Sequence, residues 1–409
     1  MSQGQAKPEK TRLASVDEAR AAMLAGQAVL EAETISLSEG LGRVLAAPIL
    51  ASRDQPPFSA SMMDGYALRA MDTAGRLTLG GEAAAGRAFT GQCVAGMAIR
   101  ISTGAALPEG ADAVVMQEDV KRSGDIIEVS KISAGENVRP RGMDFREGTP
   151  LLQKARRLDG VALALAAAAG AASLHVVRKP RLAILTGGDE LAEPGSTPGP
   201  YQIFDSATHG IAALASGWGA SPFRLKIEKD DEAAIARAAE NGFQHSDLLV
   251  MVGGASVGDH DHARPALMRL GLEMMVDKVN LRPGKPCWFG RTKLGPVLGL
   301  PGNPASALVC AHLFLKALLE AMMGRAAAPN FQRARLTESL PANASREHYL
   351  RARLESDSAG GLQVRAFEQQ DSSLLSIFAS ANALIRLVPN SAALAAGDLV
   401  DVLPLDSSC

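Results

Sequence analysis

The residue types best suited to chemistry follow the most apolar stretch of the chain. That stretch, Leu248–Val252, is succeeded at once by Gly253 and Gly254, and then by Asp259 and Asp261. Glycines let a ligand approach bare backbone N–H groups, and two carboxylates can hold a hard cation. A plain strand-to-loop turn whose acids face water is the alternative. The pattern predicts a ligand site at the end of a buried strand.

Two further loops are suited to binding phosphate. The rigid basic loop Arg282-Pro-Gly-Lys285 offers an oxyanion the planar fork of an arginine and the point charge of a lysine. Pro301-Gly-Asn-Pro304 leads into a long helical stretch, and the start of a helix presents N–H groups to a phosphate. The alternative for the basic loop is a solvated turn.

Other acidic residues stand in loops between the regular elements. Asp64 lies in a loop whose paired prolines and Asp-Gly step cannot continue a helix, although such a loop can also simply turn a corner. Glu190 follows an apolar run and a glycine pair, and its neighbour Asp189 is expected to face solvent. Asp230 precedes a helical stretch that it could merely cap. Asp64 and Asp230 could therefore have a purely structural role instead of a functional one.

Composition narrows the function classes. Of 409 residues, 47% are hydrophobic and 21% charged, with a formal charge of −2, which is typical of a globular protein. The small net charge gives no hint of nucleic acid or a membrane surface, so small molecules or proteins are the expected partners. The alanine-rich run at residues 161–172 is shorter than a membrane span, and the N-terminus lacks an apolar signal core. With four scattered cysteines and no Cys-x-x-Cys, a cytoplasmic protein is expected.

The first half of the chain predicts a helical domain interrupted by β-structure. Ser15 is a plausible N-cap for a first helix, and residues 36–45 predict a second. Short β-prone runs separated by glycines fill residues 65–147, and helical texture returns at residues 158–170. We therefore expect the β region to be an insertion into a helical linker and dimerisation domain.

The second half predicts an α/β domain followed by a small β module. Strand and helix patterns alternate from residue 182 to residue 323, which is typical of a doubly wound parallel sheet. Beyond Pro329 only strands are indicated, and a closed, barrel-like β domain is the economical interpretation. The fold class is thus α/β plus β. The predicted domains are residues 12–55 with 145–178 (helical), 56–144 (inserted β), 179–327 (α/β) and 328–409 (C-terminal β).

Six loops are informative only when they are taken together. They are Ser61-Met-Met-Asp64-Gly-Tyr-Ala67, Thr103-Gly-Ala, Thr186-Gly-Gly-Asp-Glu-Leu191, Gly253-Gly-Ala-Ser-Val-Gly258, Arg282-Pro-Gly-Lys-Pro286 and Gly299-Leu-Pro-Gly-Asn-Pro304. In this order and at domain-scale spacing, they resemble the molybdopterin molybdenumtransferase family. These are the bacterial molybdenum insertases, which are also similar to the C-terminal domain of gephyrin. The resemblance extends from about residue 12 to about residue 404.

This resemblance implies an elongated, four-part subunit that forms a homodimer, with an α/β domain of the molybdopterin-binding type. The family's reaction takes adenylylated molybdopterin and molybdate, cleaves the phosphoanhydride with Mg²⁺, and yields molybdenum cofactor and AMP. Because the sequence contains no separate adenylyltransferase domain, a molybdopterin adenylyltransferase is the expected protein partner. Molybdate and the pterin nucleotide are the expected substrates.

The resemblance also implies roles for individual residues. The catalytic residues it implies are Asp64, Glu190, Arg282 and Lys285. Those implied to hold the metal are Glu190, Asp259 and Asp261. The substrate-binding residues it implies are Thr103, Asp144, Asp230, Gly253, Gly254, Ser256, Gly258, Pro301, Pro304 and Ser373.

The chain departs from the family pattern in two loops. Many members have lysine where Arg282 stands; arginine still neutralises phosphate but is no proton-labile amine. His260 and His262 follow Gly258 and are either solvated or additional ligands. Two other functions stay open: a nucleotide pyrophosphatase with the same α/β domain, and a non-catalytic molybdopterin-binding scaffold. Clustered acids favour an enzyme, because they repel one another without a metal. The preference for molybdate or tungstate is not determined by the sequence.

Overall fold

The chain divides into two compact units. The computed structural model describes residues 12–254 and 262–405. The inserted unit is Thr34–Val176, and the main unit combines Met1–Glu33 with Val177–Cys409. The chain therefore leaves the main unit once, builds the inserted unit, and returns.

The largest sheet of the inserted unit consists of six short strands. Their order across the sheet is Ala113–Met116, Gly65–Leu68, Met97–Ile101, Gly75–Ala83, Ile126–Val129 and Lys121–Ser123. Gly75–Ala83 runs parallel to Met97–Ile101, and the other neighbours are antiparallel. Gly65 lies in this sheet so close to the neighbouring strand that a Cβ there would be 1.9 Å from the carbonyl oxygen of Val115. The residue after Asp64 can therefore only be glycine.

Smaller elements complete the inserted unit. The helix Gly160–Ala168 begins at Asp159, whose side chain accepts a hydrogen bond from the backbone of Ala162 at 2.8 Å, as the helical pattern predicts. It covers a cluster of buried residues that includes Leu45, Leu158 and Leu174. The remaining elements are the strand pairs Ala60–Ser61 with Val138–Arg139 and Ile49–Leu50 with Pro150–Leu152, the sheet of Ala32–Ser36, Ser173–Val177 and Val44–Leu45, and the 3₁₀ turns Leu37–Glu39, Ala70–Asp72 and Gln117–Asp119.

The helix predicted for residues 36–45 is wrong. Ser36 and Glu39 do form a capping box, but the helical turn that they begin extends only over Leu37–Glu39. Gly42 then has a φ of +73°, in the left-handed region that ends a helix, and Val44–Leu45 continues as a strand. The prediction continued the helix across Gly40 and Gly42, whereas the helical turn ends there.

The α/β domain of the main unit is doubly wound, as predicted. Across its sheet the strands are Ser221–Arg224, Arg181–Thr186, Leu248–Val252, Pro296–Leu300, Trp288–Arg291 and Glu273–Val276. The first four are parallel, and the last two are added antiparallel. All five residues of the central strand Leu248–Val252 are at most 2% exposed, which explains its unbroken apolar sequence.

Helices cover both faces of this sheet. They are Ala207–Gly217, Glu232–His245, Ala263–Met268, and one long helix built of Pro304–Cys310, a π segment Ala311–Leu315 and Lys316–Met322. The long helix is apolar and long enough to cross a membrane, yet 89% of its most apolar window is buried inside the protein, as in a core helix. The first helix, Val16–Leu24, begins with the capping box Ser15–Glu18, which confirms Ser15 as its N-cap.

The C-terminal strands close into a barrel. Around it follow Glu347–Ser356, Leu362–Ala366, Gln332–Leu336, Leu399–Pro404 and Ala383–Leu387, and the last strand pairs back with the first. A further short strand, Leu281–Arg282, joins the barrel in parallel to Glu347 and His348. A helix, Leu375–Ser380, precedes the last hairpin, so the prediction of strands alone beyond Pro329 is wrong for this segment. The expected fold class, a multidomain α/β plus β protein with a barrel-like C-terminal domain, is confirmed.

Candidate active site

A cavity of about 1160 Å³ lies where the parallel strands of the α/β sheet end. Its floor is formed by residues that directly follow the strands Arg181–Thr186, Leu248–Val252 and Pro296–Leu300. The barrel contributes a loop, residues 368–373, to the wall. In open α/β sheets ligands bind at this edge, so the cavity is the candidate site of the main unit.

Glycines open the floor of the cavity to a ligand. Gly253 and Gly254 have φ angles of +81° and +59°, which side chains rarely tolerate, and both line the cavity. The strands on either side are tied together, because Thr186 Oγ1 donates to the carbonyl of Val252 at 2.9 Å and the Gly253 amide donates to Leu300 at 3.1 Å. This turn therefore presents backbone rather than side chains to the cavity.

Glu190 lines the cavity from a short, well-anchored ribbon. Gly188 has a φ of +149°, and a Cβ there would lie 2.6 Å from Glu190 Oε2, so glycine is what gives the carboxylate room. The carbonyl of Glu190 accepts from the amide of Ile203 at 2.7 Å, and Leu191–Ala192 pairs in parallel with Ile203–Phe204. Asp189 is exposed and is not among the residues that line the cavity.

Asp230 and Asp231 are adjacent in sequence, but only Asp230 lines the cavity. Asp231 caps the helix Glu232–His245, accepting from the amides of Ala233 and Ala234 at 3.1 Å each. Asp230 is exposed and lines the cavity. The capping role considered for Asp230 thus belongs to its neighbour, and the helix continues to His245, beyond its predicted end near Asn241.

The basic loop places two cations on the cavity wall. Arg282 and Lys285 are both exposed and both line the cavity. Between them, Gly284 has a φ of +118°, and a Cβ there would lie 2.5 Å from Cys310 Sγ. The loop is fixed by the Val279 amide, which donates to the Lys285 carbonyl at 3.1 Å. The two side chains accordingly extend from a loop whose backbone is packed against the core.

A third cation, Arg346, lines the same wall and was not selected from the sequence. Within the described part of the chain, no carboxylate forms an ion pair with Arg282, Lys285 or Arg346. Behind them, burial together with the charges of Arg282 and Arg346 lowers the pKa of His348 to about 4. His348 itself is therefore neutral near pH 7.

The start of the long helix contacts the barrel loop at the cavity. Pro301 and Pro304 line the cavity, and the intervening Asn303 donates from Nδ2 to Ser372 Oγ at 2.8 Å. Ser373 lines the cavity too and donates from Oγ to Asp371 Oδ1 at 2.6 Å, a bond that lowers the pKa of Asp371. Ser373 is therefore a turn former as well as a cavity residue.

The barrel loop is held from behind by a buried arginine. Arg351 is fully buried; its Nη1 donates to the Asp371 carbonyl at 2.7 Å and its Nε to Gln370 Oε1 at 3.1 Å. Gln370 in turn donates to the Phe367 carbonyl at 2.7 Å. These bonds fix the loop that carries Ser373.

Three predicted site residues, Asp64, Thr103 and Asp144, belong to the inserted unit. Asp64 Oδ1 accepts from the Thr103 amide at 2.6 Å and from Thr103 Oγ1 at 3.0 Å. The hydrogen bond from the Thr103 amide is the main cause of the lowered pKa of Asp64, so this carboxylate is ionised at neutral pH. Asp144 is exposed, and its amide donates to the carbonyl of Gln55 at 2.9 Å. Asp64 and Thr103 are thus adjacent, as their shared loop roles imply.

The predicted metal ligands are only partly described. Ser256, Gly258, Asp259, His260 and Asp261 lie outside the described residues. His262 lines the cavity, with Nδ1 4.0 Å from Glu232 Oε1. Over residues 12–254 and 262–405, no group of three His, Cys, Asp or Glu side chains could hold a metal ion. The carboxylates that line the described cavity are Glu190, Asp205, Asp230, Glu368 and Asp371, and of the residues predicted from the sequence they include Glu190 and Asp230.

Several cavity residues were missed by sequence reasoning. Asp205 is 3% exposed, lines the cavity, and binds Arg224 Nη2 at 3.1 Å and the side chain of Thr208. Its sequence position before a helix suggested only a cap. Arg346 stands in a loop before a barrel strand, far from the other cations in sequence, and no local pattern marks it. Ile203 and Phe204 looked like ordinary apolar residues.

The cavity is suited to a ligand with several negative charges. Three cations, Arg282, Lys285 and Arg346, line the cavity together with glycine backbone and a helix start. The carboxylates Glu190 and Asp230 add hard oxygen atoms that can bind a divalent cation or a proton. Such a combination supports chemistry on phosphate esters or anhydrides.

Comparisons with known proteins agree with this geometry. The family description "MoeA N-terminal region (domain I and II)" matches residues 14–170, "Probable molybdopterin binding domain" matches residues 183–321, and "MoeA C-terminal region (domain IV)" matches residues 333–405. Between them the three cover nearly the whole described chain.

Individual relatives give the same result. A molybdopterin molybdenumtransferase of Haemophilus influenzae is 32% identical over 400 residues, which cover 96% of this chain and 98% of the relative. One from Nostoc sp. is 33% identical over 333 residues, 78% of this chain and 76% of the relative. The crystal structure of a molybdopterin biosynthesis MoeA protein from Pyrococcus horikoshii OT3 superposes with a TM-score of 0.84 at 27% identity, covering 96% of this chain and 100% of that one. The chain therefore belongs to the MoeA family of molybdopterin molybdenumtransferases, transferases of molybdenum cofactor biosynthesis.

Proposed function

We propose that this chain takes adenylylated molybdopterin and molybdate, cleaves the phosphoanhydride in the presence of Mg²⁺, and releases AMP and molybdenum cofactor. The observation that carries the proposal is that one cavity collects most of the residues implied by the family resemblance, although they come from six separate loops of the chain. Those residues are Glu190, Asp230, Gly253, Gly254, Arg282, Lys285, Pro301, Pro304 and Ser373.

Anion binding is the first task of such a site. Arg282, Lys285 and Arg346 would neutralise the pyrophosphate and molybdate charges, since no described carboxylate pairs with them. The amides of Gly253 and Gly254, with the start of the helix at Pro304, would orient phosphate oxygens. Because the arginines and the lysine are separate donors, different side chains could bind two adjacent oxyanions.

Carboxylates and Mg²⁺ are the second part of the proposal. Mg²⁺ is usually held by one or two carboxylates together with substrate phosphates, so Glu190 fits as a ligand without a preformed cluster. Asp259 and Asp261 are the further ligands we propose, and both lie outside the described residues. When bound, the ion would neutralise charge developing on the phosphoanhydride. Asp64, kept ionised by Thr103, is proposed as a second catalytic carboxylate, and Asp144 and Thr103 as substrate-binding residues.

The apolar surface of the inserted unit supports a homodimer. The helix Gly160–Ala168 carries no charged residue, and Val161 is 81% exposed. Leu41 is 69% exposed, and next to it the Gly42 amide donates to the Leu158 carbonyl at 2.8 Å, which places Leu41 near the start of this helix. A helix apolar on all sides is normally covered, and a second copy of the chain is the partner we propose.

Three further proposals follow from the same reading. The four domains keep the sequence-based bounds, residues 12–55 with 145–178, 56–144, 179–327 and 328–409. A molybdopterin adenylyltransferase would supply the activated pterin. The cytoplasm is the proposed compartment, which suits the free thiols of Cys93, Cys287 and Cys310.

The test is a reconstituted reaction. Purified full-length protein is incubated with adenylylated molybdopterin, molybdate and Mg²⁺, and AMP is measured together with molybdenum cofactor. We expect both products, and neither when molybdate or Mg²⁺ is omitted. AMP release independent of molybdate would indicate a pyrophosphatase. Pterin binding without any turnover would indicate a scaffold.

A further inference from the structure

Among the apolar residues that line the cavity, Ile203 and Phe204 have the most exposed side chains. Ile203 is 62% exposed and Phe204 46% exposed, yet both line the cavity beside Glu190 and Asp205. Exposed apolar residues are unremarkable singly on a convex surface, but inside a charged cavity they face the ligand itself. Neither residue contributes to the anion binding argued above.

The short strand that carries them is fixed at both ends. At one end the Ile203 amide donates to the Glu190 carbonyl at 2.7 Å, and Gln202 Nε2 donates to the Asp189 carbonyl at 2.9 Å. At the other end the Asp205 amide donates to the Ala192 carbonyl at 2.9 Å. The exposed side chains are therefore presented by a backbone that is already ordered, which lowers the entropic cost of binding.

The position of this strand restricts what can occupy it. Because Glu190 and Ile203 share a backbone hydrogen bond, anything that covers Ile203 or Phe204 lies next to the proposed catalytic carboxylate. The same cavity is lined by Arg282 and Lys285, whose charges favour a small anionic molecule. In a phosphorylated nucleotide or pterin, the only large apolar surface is the face of its ring.

We infer that Ile203 and Phe204 form the subsite for a planar nitrogen-heteroaromatic ring of the substrate, either the purine or the pterin. This inference rests on the proposed function, because adenylylated molybdopterin carries both rings. Stacking of a base on an aromatic side chain contributes about 1–3 kcal/mol, or roughly 5- to 150-fold in affinity. Ring recognition and oxyanion recognition are thus assigned to different residues of one cavity.

The experiment measures the binding of three probes to the full-length protein by calorimetry. AMP and ribose 5-phosphate share a phosphate and a sugar but differ in the ring, and neopterin supplies the other ring. The variants are Phe204→Ala, Phe204→Trp and a matched control, Tyr201→Ala. Tyr201 is an aromatic residue of the same loop, 92% exposed and absent from the cavity lining. Thermal unfolding checks that each variant is folded.

We expect Phe204→Ala to weaken binding of AMP, of neopterin, or of both by at least about fivefold, with ribose 5-phosphate unaffected. Phe204→Trp and Tyr201→Ala should bind like the wild type. The ring whose binding falls is the one that occupies the subsite. Unchanged affinity for both ring ligands in Phe204→Ala overturns the inference alone. Equal loss for ribose 5-phosphate also overturns it, because the change is then structural. Wild-type protein that binds neither AMP nor neopterin contradicts the proposed substrate and the subsite together.

Discussion

Lys285→Ala should weaken oxyanion binding substantially while leaving the fold intact. The ammonium group is one of three cations on the cavity wall and is not paired with a described carboxylate. A charge pair at about 4 Å is worth about 1 kcal/mol in bulk water and about 4 kcal/mol near a protein surface. Since the side chain is exposed in an open cavity, a value between these limits applies. We expect a loss of about 1.5–3 kcal/mol, or about 10- to 150-fold in the dissociation constant.

The assay is a set of binding isotherms for molybdate and for AMP at two ionic strengths. Salt screens exposed charges, so the difference between wild type and Lys285→Ala should shrink as the salt concentration rises. Arg282→Lys should keep activity, because it retains the charge, whereas Arg282→Ala should behave like Lys285→Ala. Lys293→Ala is the matched control, since Lys293 is an exposed lysine of the same domain outside the cavity lining.

Two results would refute this reasoning. Unchanged affinity for both anions in Lys285→Ala and Arg282→Ala would place the anion site elsewhere. An equal loss in Lys293→Ala would mean that net charge, rather than the cavity wall, governs binding.

Asp64→Asn and Glu190→Gln should each lower AMP release by about two to four orders of magnitude without changing the unfolding temperature, because both carboxylates are exposed; turnover at the wild-type rate in both would remove them from catalysis. In sedimentation velocity at micromolar concentration, we expect the wild type to be a dimer, Val161→Lys a monomer and Leu294→Lys a dimer; a monomeric wild type would contradict the proposed interface. Burial and neighbouring arginines hold the pKa of His348 near 4 instead of 6.5, so the unfolded state takes up a proton first. The free energy of unfolding should therefore fall as the pH drops from about 6.5 toward 4, and His348→Gln should flatten that part of the urea-denaturation profile; an unchanged slope would show that other groups dominate.

Sequence patterns were sufficient where one physical requirement dominates. The central strand Leu248–Val252 is buried on both faces, so it had to be apolar throughout, and its assignment is confirmed. Ser15 with Glu18 forms a capping box, which is a purely local interaction. Arg282 and Lys285 are separated only by Pro283 and Gly284, so they had to share a loop, and both do line the cavity.

The missed features depend on contacts between distant segments. Glu39 and Ser36 favour a helix, but Val44–Leu45 gains more by pairing within a sheet, and no local pattern reports that competition. Arg346 is 61 positions beyond Lys285 and reaches the same wall only because the strand Leu281–Arg282 pairs with the barrel. Ile203 and Phe204 are of interest only because they line the cavity, and the sequence alone does not show which residues line it.

The pairing of Leu281–Arg282 with Glu347 and His348 affects local unfolding of the main unit. The residue just before this segment is hydrogen-bonded to Ala14, which precedes the first helix: the Ala14 carbonyl accepts from the Asn280 amide at 2.7 Å. A local unfolding event that separates the barrel would therefore also release the segment leading into the basic loop, so the two belong to one cooperative unit. The Glu347 amide donates to the Asn280 carbonyl at 3.0 Å, and its hydrogen exchange should therefore match that of the Val279 amide, which donates to the Lys285 carbonyl. For the same reason, a fragment ending at residue 327 would keep the glycine floor of the cavity but lose the support of its cationic wall.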